Sequence, residues 1–285
     1  MEIAENVWVW PEEKLKCQIA RAGLLGQITH GRLQYPCGTY HGLSTLRKIL
    51  DADPVRALGY DGEVAISPRK GYHGRTMTKC FWEGGVFEFP GPVRVLYAMP
   101  TKGRKRALWW EVGGTDGHLS DDNLVLYQNG EEINYPFQYE YQDVGDVQVI
   151  RCIRVDTDPP AVWENPFSEY RIGSSLGLGS HGVRDEIARA YILESMHRAI
   201  VDDVEPEYGP ANARVDLEAW IAVRESTWQS HQWIDLPLKN LTSVEQAIQK
   251  EYIRRYGHDP TEQSKIFADV QFPRRGVLWD IVGWL

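Results

Sequence analysis

The sequence predicts an α+β fold. A mixed or antiparallel β-sheet domain with flanking helices is expected over residues 1–160, followed by a mostly helical C-terminal region over residues 161–285. Three observations carry this expectation. Up to about residue 155, short runs of β-branched and aromatic residues alternate with Gly, Pro and Asn turn signals. Asp156-Thr157-Asp158-Pro159-Pro160 then breaks regular structure. Beyond a Gly/Ser-rich stretch from Gly173 to Gly182, apolar residues recur at helical rather than alternating spacing.

Taken in order, residues 6–10 read as a first strand and residues 12–22 as a helix. A second helix is expected over residues 43–50, with Leu43, Leu46, Ile49 and Leu50 on one face. Strand-like runs follow at 63–67, 86–89, 93–99, 107–112, 124–127 and 147–155. Asn129-Gly130, directly after one of them, is a hairpin signal, because both residues tolerate the left-handed backbone that a two-residue turn needs. Three helices are expected later, over 183–201, 213–225 and 244–256. Ser243 is the expected N-cap of the last and Gly257 its C-terminal stop. The terminal segment Gly276 to Leu285 is too apolar to remain in water, so docking on the body or on a protein partner is expected.

Composition narrows the function classes. Charged residues make up 25% and hydrophobic residues 42% of the chain, the usage of a globular protein rather than a disordered one. A formal net charge of −9 argues against general affinity for nucleic-acid phosphates or anionic lipid. The densest basic run, Lys102-Gly103-Arg104-Lys105-Arg106, reads as a solvated hairpin tip. Cys17, Cys37, Cys80 and Cys152 have no paired or Cys/His ligand spacing, so no metal site is expected and a reducing compartment is favoured. The acidic N-terminus lacks a signal-peptide pattern, and no apolar run approaches the ~20 residues that span a bilayer. A soluble, cytoplasmic protein without membrane contact is the expectation.

Two stretches carry most of the chemistry. One is the turn Cys37-Gly38-Thr39-Tyr40-His41-Gly42. The other, about a hundred residues later, is Tyr139-Glu140-Tyr141-Gln142, leading into Val147-Gln148-Val149-Ile150. The second places a carboxylate, Glu140, at the mouth of an apolar strand. Such a group can steady positive charge that develops at a reacting carbon in a partly dry pocket. Each residue also has a plain structural reading: His41 as a hydrogen-bonded structural imidazole, Glu140 as a solvated strand-end carboxylate.

Tyr40-His41-Gly42 with Leu46 and Ile49-Leu50, and Glu140-Tyr141 with Gln148-Val149, resemble ADP-ribosyltransferases of the poly-ADP-ribose-polymerase and diphtheria-toxin type. Gly62-Glu63-Val64-Ala65-Ile66-Ser67 resembles a degenerate form of that family's middle strand. The resemblance spans roughly residues 37–155. It implies a split sheet carrying His, Tyr and Glu on successive elements. It further implies NAD bound as a substrate and ADP-ribose transferred to an unknown acceptor, or NAD cleaved, with Glu140 as catalytic carboxylate. His41 would contact the adenosine ribose, Gly42 the nicotinamide amide, and Tyr40, Ser67 and Tyr72 would complete the NAD pocket. The sequence departs from the pattern at Leu43, and at Ala65-Ile66, where an aromatic is expected.

Other constellations weigh less. Gly177-Leu178-Gly179-Ser180-His181-Gly182 matches GxGxxG at a helix start with Asp202 and Asp203 about twenty residues on, but it follows a weak strand and reads as a hinge rather than a phosphate cradle. Glu194 and His197 have the spacing of a di-iron ligand pair, without the second pair such a site needs. The competing expectation is a non-catalytic interaction or assembly protein that docks through its aromatic-rich surface and C-terminal segment.

Overall fold

The computed structural model describes residues 2–34, 39–70, 76–99, 110–172, 182–262 and 264–265. A 3-10 turn (Val7–Val9) leads into helix α1 (Pro11–Arg21), strand β1 (Ile28–Gln34) and helix α2 (Thr39–Leu50). Strands β2 (Arg56–Lys70), β3 (Thr76–Glu88), β4 (Arg94–Met99), β5 (Trp110–Gly114), β6 (Gly117–Ser120), β7 (Asn123–Gln128) and β8 (Glu131–Pro136) follow. A second group comprises β9 (Gln138–Val144), β10 (Val147–Val155) and β11 (Ala161–Glu164). The chain continues through α3 (Gly182–Val201), α4 (Pro210–Trp228), β12 (Ile234–Asp235) and α5 (Ser243–Tyr256). The architecture is α+β: a mixed nine-stranded sheet in the order β12-β2-β3-β4-β1-β5-β6-β7-β8, a three-stranded sheet β11-β10-β9, and flanking helices.

Within the large sheet β1 and β4 run parallel, and all other pairs among the described residues are antiparallel. One face is covered by helices. Helix α4 packs across β2, and α2 packs against β1 and α4. Leu33, Leu43, Leu46, Phe87, Val95, Tyr97, Ala222 and Val223 belong to one buried cluster between these layers, which also takes in Trp163, Ile187 and Tyr208. Alternation shows the opposite face. Leu96, between buried Val95 and Tyr97, is 58% exposed. Both sides of position 160 thus contribute to one core, and β12 closes an edge of the large sheet.

Several expected elements fall at or near their places, among them α1, α2, β4, β10 and the three late helices. Asn129 and Gly130 form the β7–β8 hairpin with φ of 53° and 83°. Gly257 ends α5 in the left-handed region, as expected, but the N-cap is Thr242 rather than Ser243. Its side chain accepts from the Glu245 amide while the Glu245 carboxylate accepts from the Thr242 amide, and this reciprocal pair fixes the helix start one residue earlier.

Residues 6–10 do not form a strand. Val7, Trp8 and Val9 are all buried, and the 3-10 turn they form packs against α2 and α3, so burial on every side and not strand pairing explains the apolar run. Lys102–Arg106, Cys37, Tyr72, most of the GxGxxG run and Gly276–Leu285 lie outside the described residues. No helix among the described residues is long and apolar enough to cross a membrane.

Candidate active site

The parallel pair defines an edge. The C-terminal ends of β1 and β4, Gln34 and Met99, face the same way, and α2 begins just beyond β1. Ligands of α/β sheets bind outside the carboxyl ends of parallel strands, where the chain leaves one strand for a helix. His41 occupies the first turn of α2 at this edge. Its Nδ1 lies 2.9 Å from Glu5 Oε1 and 2.8 Å from Oε2. Glu5 is 5% exposed and also accepts a hydrogen bond from the Val7 amide. An imidazole whose Nδ1–H is donated to a buried carboxylate keeps Nε2 as the nitrogen that takes or gives a proton.

Behind this pair lies a buried charge network. Arg47 donates from Nη1 to Asp216 at 2.8 Å and from Nε to Asp53 at 2.7 Å. Burial pushes the Asp216 carboxyl up to about 7; Arg47 opposes the rise, and the nearby charges of Glu5 and Asp53 add to it. Asp216 Oδ2 is buried with no hydrogen-bond partner.

A second polar group stands farther along the same edge. Glu83 on β3 is paired in register with Asp61 on β2 and Met99 on β4. Glu83 is buried and accepts from Tyr97 Oη at 2.5 Å, from Trp220 Nε1 at 3.1 Å and from Arg224 Nε at 3.1 Å. Tyr97 neighbours Leu33 on β1, and Leu33 lies against Gly42 of α2. The β1–β4 pair therefore places the carboxylate–arginine group and His41 on one side of the sheet.

The other expected site residues are placed differently. Glu140 is on β9 in the three-stranded sheet, where it pairs with Arg151 and, at 3.5 Å, with Arg154. The hydrogen bond from Arg151 holds its carboxyl below the usual carboxylate range. None of its bonds reaches the group around His41. Ser67 is exposed on the outer half of β2, and Tyr40 shares the first turn of α2 with His41. Gly42 is filled from below: a Cβ added there would stand 2.1 Å from Leu33 Cδ1. The Glu194–His197 pair is exposed at 3.9 Å, and no metal-binding cluster of His, Cys, Asp or Glu occurs among the described residues. A cavity of about 370 Å³ lies elsewhere, between α4 and the segment leading into α5. Glu225, which lines it, already accepts from Gln229 and the Val244 amide.

Sequence reading missed Glu5, Glu83, Asp216 and Arg224. A signal existed for three of them. Phe81, Glu83, Gly85 and Phe87 alternate along β3, so Glu83 is a charge on the inward face. Asp216, Trp220 and Arg224 recur every four residues on the face of α4 that meets the sheet.

No protein-family model matches the chain, and no curated protein matches it. Solved structures do match its fold. An oxidoreductase from Agrobacterium radiobacter in complex with NAD+, L-tartaric acid and magnesium matches at TM-score 0.50 and 12% identity, over 82% of this chain and 64% of that one. Levoglucosan dehydrogenase in complex with NADH and levoglucosan matches at TM-score 0.52 and 16% identity, over 82% and 65%. An oxidoreductase domain protein from Kribbella flavida matches at TM-score 0.52 and 17% identity, over 82% and 64%. The chain spans less than two thirds of each of these proteins. At such identities the likeness is one of fold.

That likeness corrects the family resemblance. The fold is shared with oxidoreductases and not with ADP-ribosyltransferases, so the expected transferase class, with ADP-ribosyl transfer or NAD cleavage, is overturned. The physical reason is visible in the sheets. The expected series of His, Tyr and Glu on successive elements of one split sheet is not formed, because Glu140 belongs to a separate three-stranded sheet. The described residues also do not fit a dinucleotide's phosphates. A dinucleotide cradle needs adjacent parallel strands joined by a helix, with an open glycine turn at the helix N-terminus. Here the parallel pair is joined through α2, β2 and β3, and Gly42 serves close packing on Leu33.

Proposed function

We propose that this chain forms the substrate-holding, proton-transferring part of a nicotinamide-dependent oxidoreductase acting on a small compound with several hydroxyl groups. The observation that carries this reading is the His41–Glu5 pair at the carboxyl edge of the parallel strands. Oxidation of an alcohol requires removal of the hydroxyl proton. An imidazole oriented by a buried carboxylate can accept it through Nε2, while Glu5 stabilises the imidazolium that results. The fold likeness supports the class. Two of the matched oxidoreductases are complexes with a nicotinamide dinucleotide and a hydroxylated compound, tartaric acid or levoglucosan. In this reading the dinucleotide phosphates are held by residues other than those described, since the described ones offer them no cradle.

Calorimetric titration of the chain with levoglucosan and with tartrate tests the reading. Saturable binding of at least one is expected, weakened about tenfold or more in His41→Asn, the equivalent of ~1.4 kcal/mol. Absence of binding by both, or equal affinity in His41→Asn, would overturn it.

A further inference from the structure

We infer that Arg224 and Asp61, framed by the rings of Trp220 and Phe81, form a subsite for two adjacent hydroxyls on a neutral, ring-shaped polyol. The inference rests on the substrate-side reading above and names the part of the substrate that is recognised.

The fold uses only one edge of the Arg224 side chain. Nε donates to Glu83 Oε2 at 3.1 Å. The terminal nitrogens make no hydrogen bond to a described residue, and the side chain is 12% exposed. The guanidinium is nevertheless held in place. Its Cζ stands 4.1 Å from the centroid of the Trp220 ring and 5.0 Å from that of Phe81. Trp220 is in turn fixed by donating its indole N–H to Glu83, which is buried and further held by Tyr97. A planar donor pair is thus immobilised with its far edge unused. A fork of this kind has lost its rotamer entropy before any ligand arrives.

Asp61 supplies the matching acceptor. It sits opposite Glu83 in the β2–β3 register, and its carboxylate takes no hydrogen bond from a described side chain. Burial pushes its carboxyl up, and the Arg224 charge partly offsets the rise. A parallel pair of N–H donors beside a carboxylate suits a vicinal diol, in which each hydroxyl both accepts and donates. Phe81, whose ring carries Arg224 over one face, is 39% exposed, so part of its aromatic surface is left for the C–H face of a saturated ring. Charge selects against anions. Asp61 and Glu83 outnumber Arg224, so a substrate carboxylate would meet a net negative neighbourhood.

The test is nuclear magnetic resonance of the full chain, observing the Trp220 indole N–H, the Arg224 Nε–H and the His41 ring during titration with levoglucosan and, separately, tartrate. Levoglucosan is expected to shift all three groups saturably, and tartrate to leave the Trp220 and Arg224 signals in place. If levoglucosan shifts His41 but neither Trp220 nor Arg224, the subsite is refuted and the substrate-side reading survives. If it shifts none of them the subsite falls, and if tartrate also leaves the His41 ring unshifted the substrate-side reading falls with it. Arg224→Lys, which keeps a cation for Glu83 but loses the planar fork, is expected to weaken levoglucosan binding tenfold or more. Should that variant not fold, Asp61→Asn probes the subsite from the side the core does not use, with the same loss expected. Affinity unchanged in Asp61→Asn would overturn the subsite.

Discussion

Gly59 of β2 lies directly beneath Val223 of α4: a Cβ built on Gly59 would stand 2.0 Å from the Val223 carbonyl oxygen. The Gly59 amide donates to Ser226 Oγ at 2.9 Å, so helix and strand are bonded where they touch. This contact sets the height of α4 above the sheet, and with it the reach of Trp220 and Arg224 to Glu83. Gly59→Ala is therefore expected to lift the helix and cost roughly 1–3 kcal/mol, the range of an overpacked core. A thermal scan should show a fall of several degrees together with lost order at the Trp220 indole. An unchanged midpoint would contradict the close packing.

Glu83 accepts from Tyr97 in the sheet and from Trp220 and Arg224 on the helix above it. Glu83→Ala strands a half-buried guanidinium and indole N–H, a loss of about 1–3 kcal/mol. Glu83→Gln retains an acceptor and should cost less. Urea unfolding of both variants checks the order, and equal losses would show that shape rather than charge holds the group.

Asp216 gives a pH dependence of definite sign. Its folded carboxyl is raised from 3.8 to about 7, chiefly by burial. The stability this protonation supplies is complete below the unfolded value and drains away as pH climbs through about 7, because the folded state binds the proton that the unfolded state has released. In Asp216→Asn the drain disappears, while Arg47 keeps Asp53 as a partner. Relative to wild type the variant should gain on the order of 4 kcal/mol between pH 4 and pH 8, since a rise from 3.8 to about 7 is worth about 1.4 per pKa unit. Urea unfolding at both pH values reads the difference. Parallel profiles for the two proteins would count against a neutral Asp216.

Glu140→Gln should be silent. The residue is held by Arg151 and Arg154 on the surface of the small sheet, and exposed ion pairs contribute little. An unfolding midpoint and a polyol affinity equal to those of wild type are expected. Loss of affinity would return Glu140 to the site.

The sequence made the fold class legible because α4 and α5, the turn at Asn129-Gly130 and the alternation in β10 are local signals. Strand β1 was not legible. Its two fully buried positions are Gly31 and Leu33, so beyond half-buried Ile28 at its start only Leu33 marks it as apolar. The Glu140 stretch misled for a similar reason. Which residues face Glu140 depends on the β9–β10 register, in which it lies opposite Cys152 and within reach of Arg151 and Arg154. Spacing along the chain carries none of that. His41 was visible as a residue, but its partner Glu5 is 36 positions away, and Asp216 and Arg224 reach the same edge from a helix in the other half of the chain. A site gathered from such distances leaves no motif.

A structure of the chain soaked with levoglucosan tests the central claim in one step. The compound should lie against the His41 ring, with a hydroxyl within hydrogen-bond reach of Nε2. Density confined to the cavity lined by Gln229, Asp235, Lys239 and Thr242, with the carboxyl edge of β1 and β4 left empty, would contradict it.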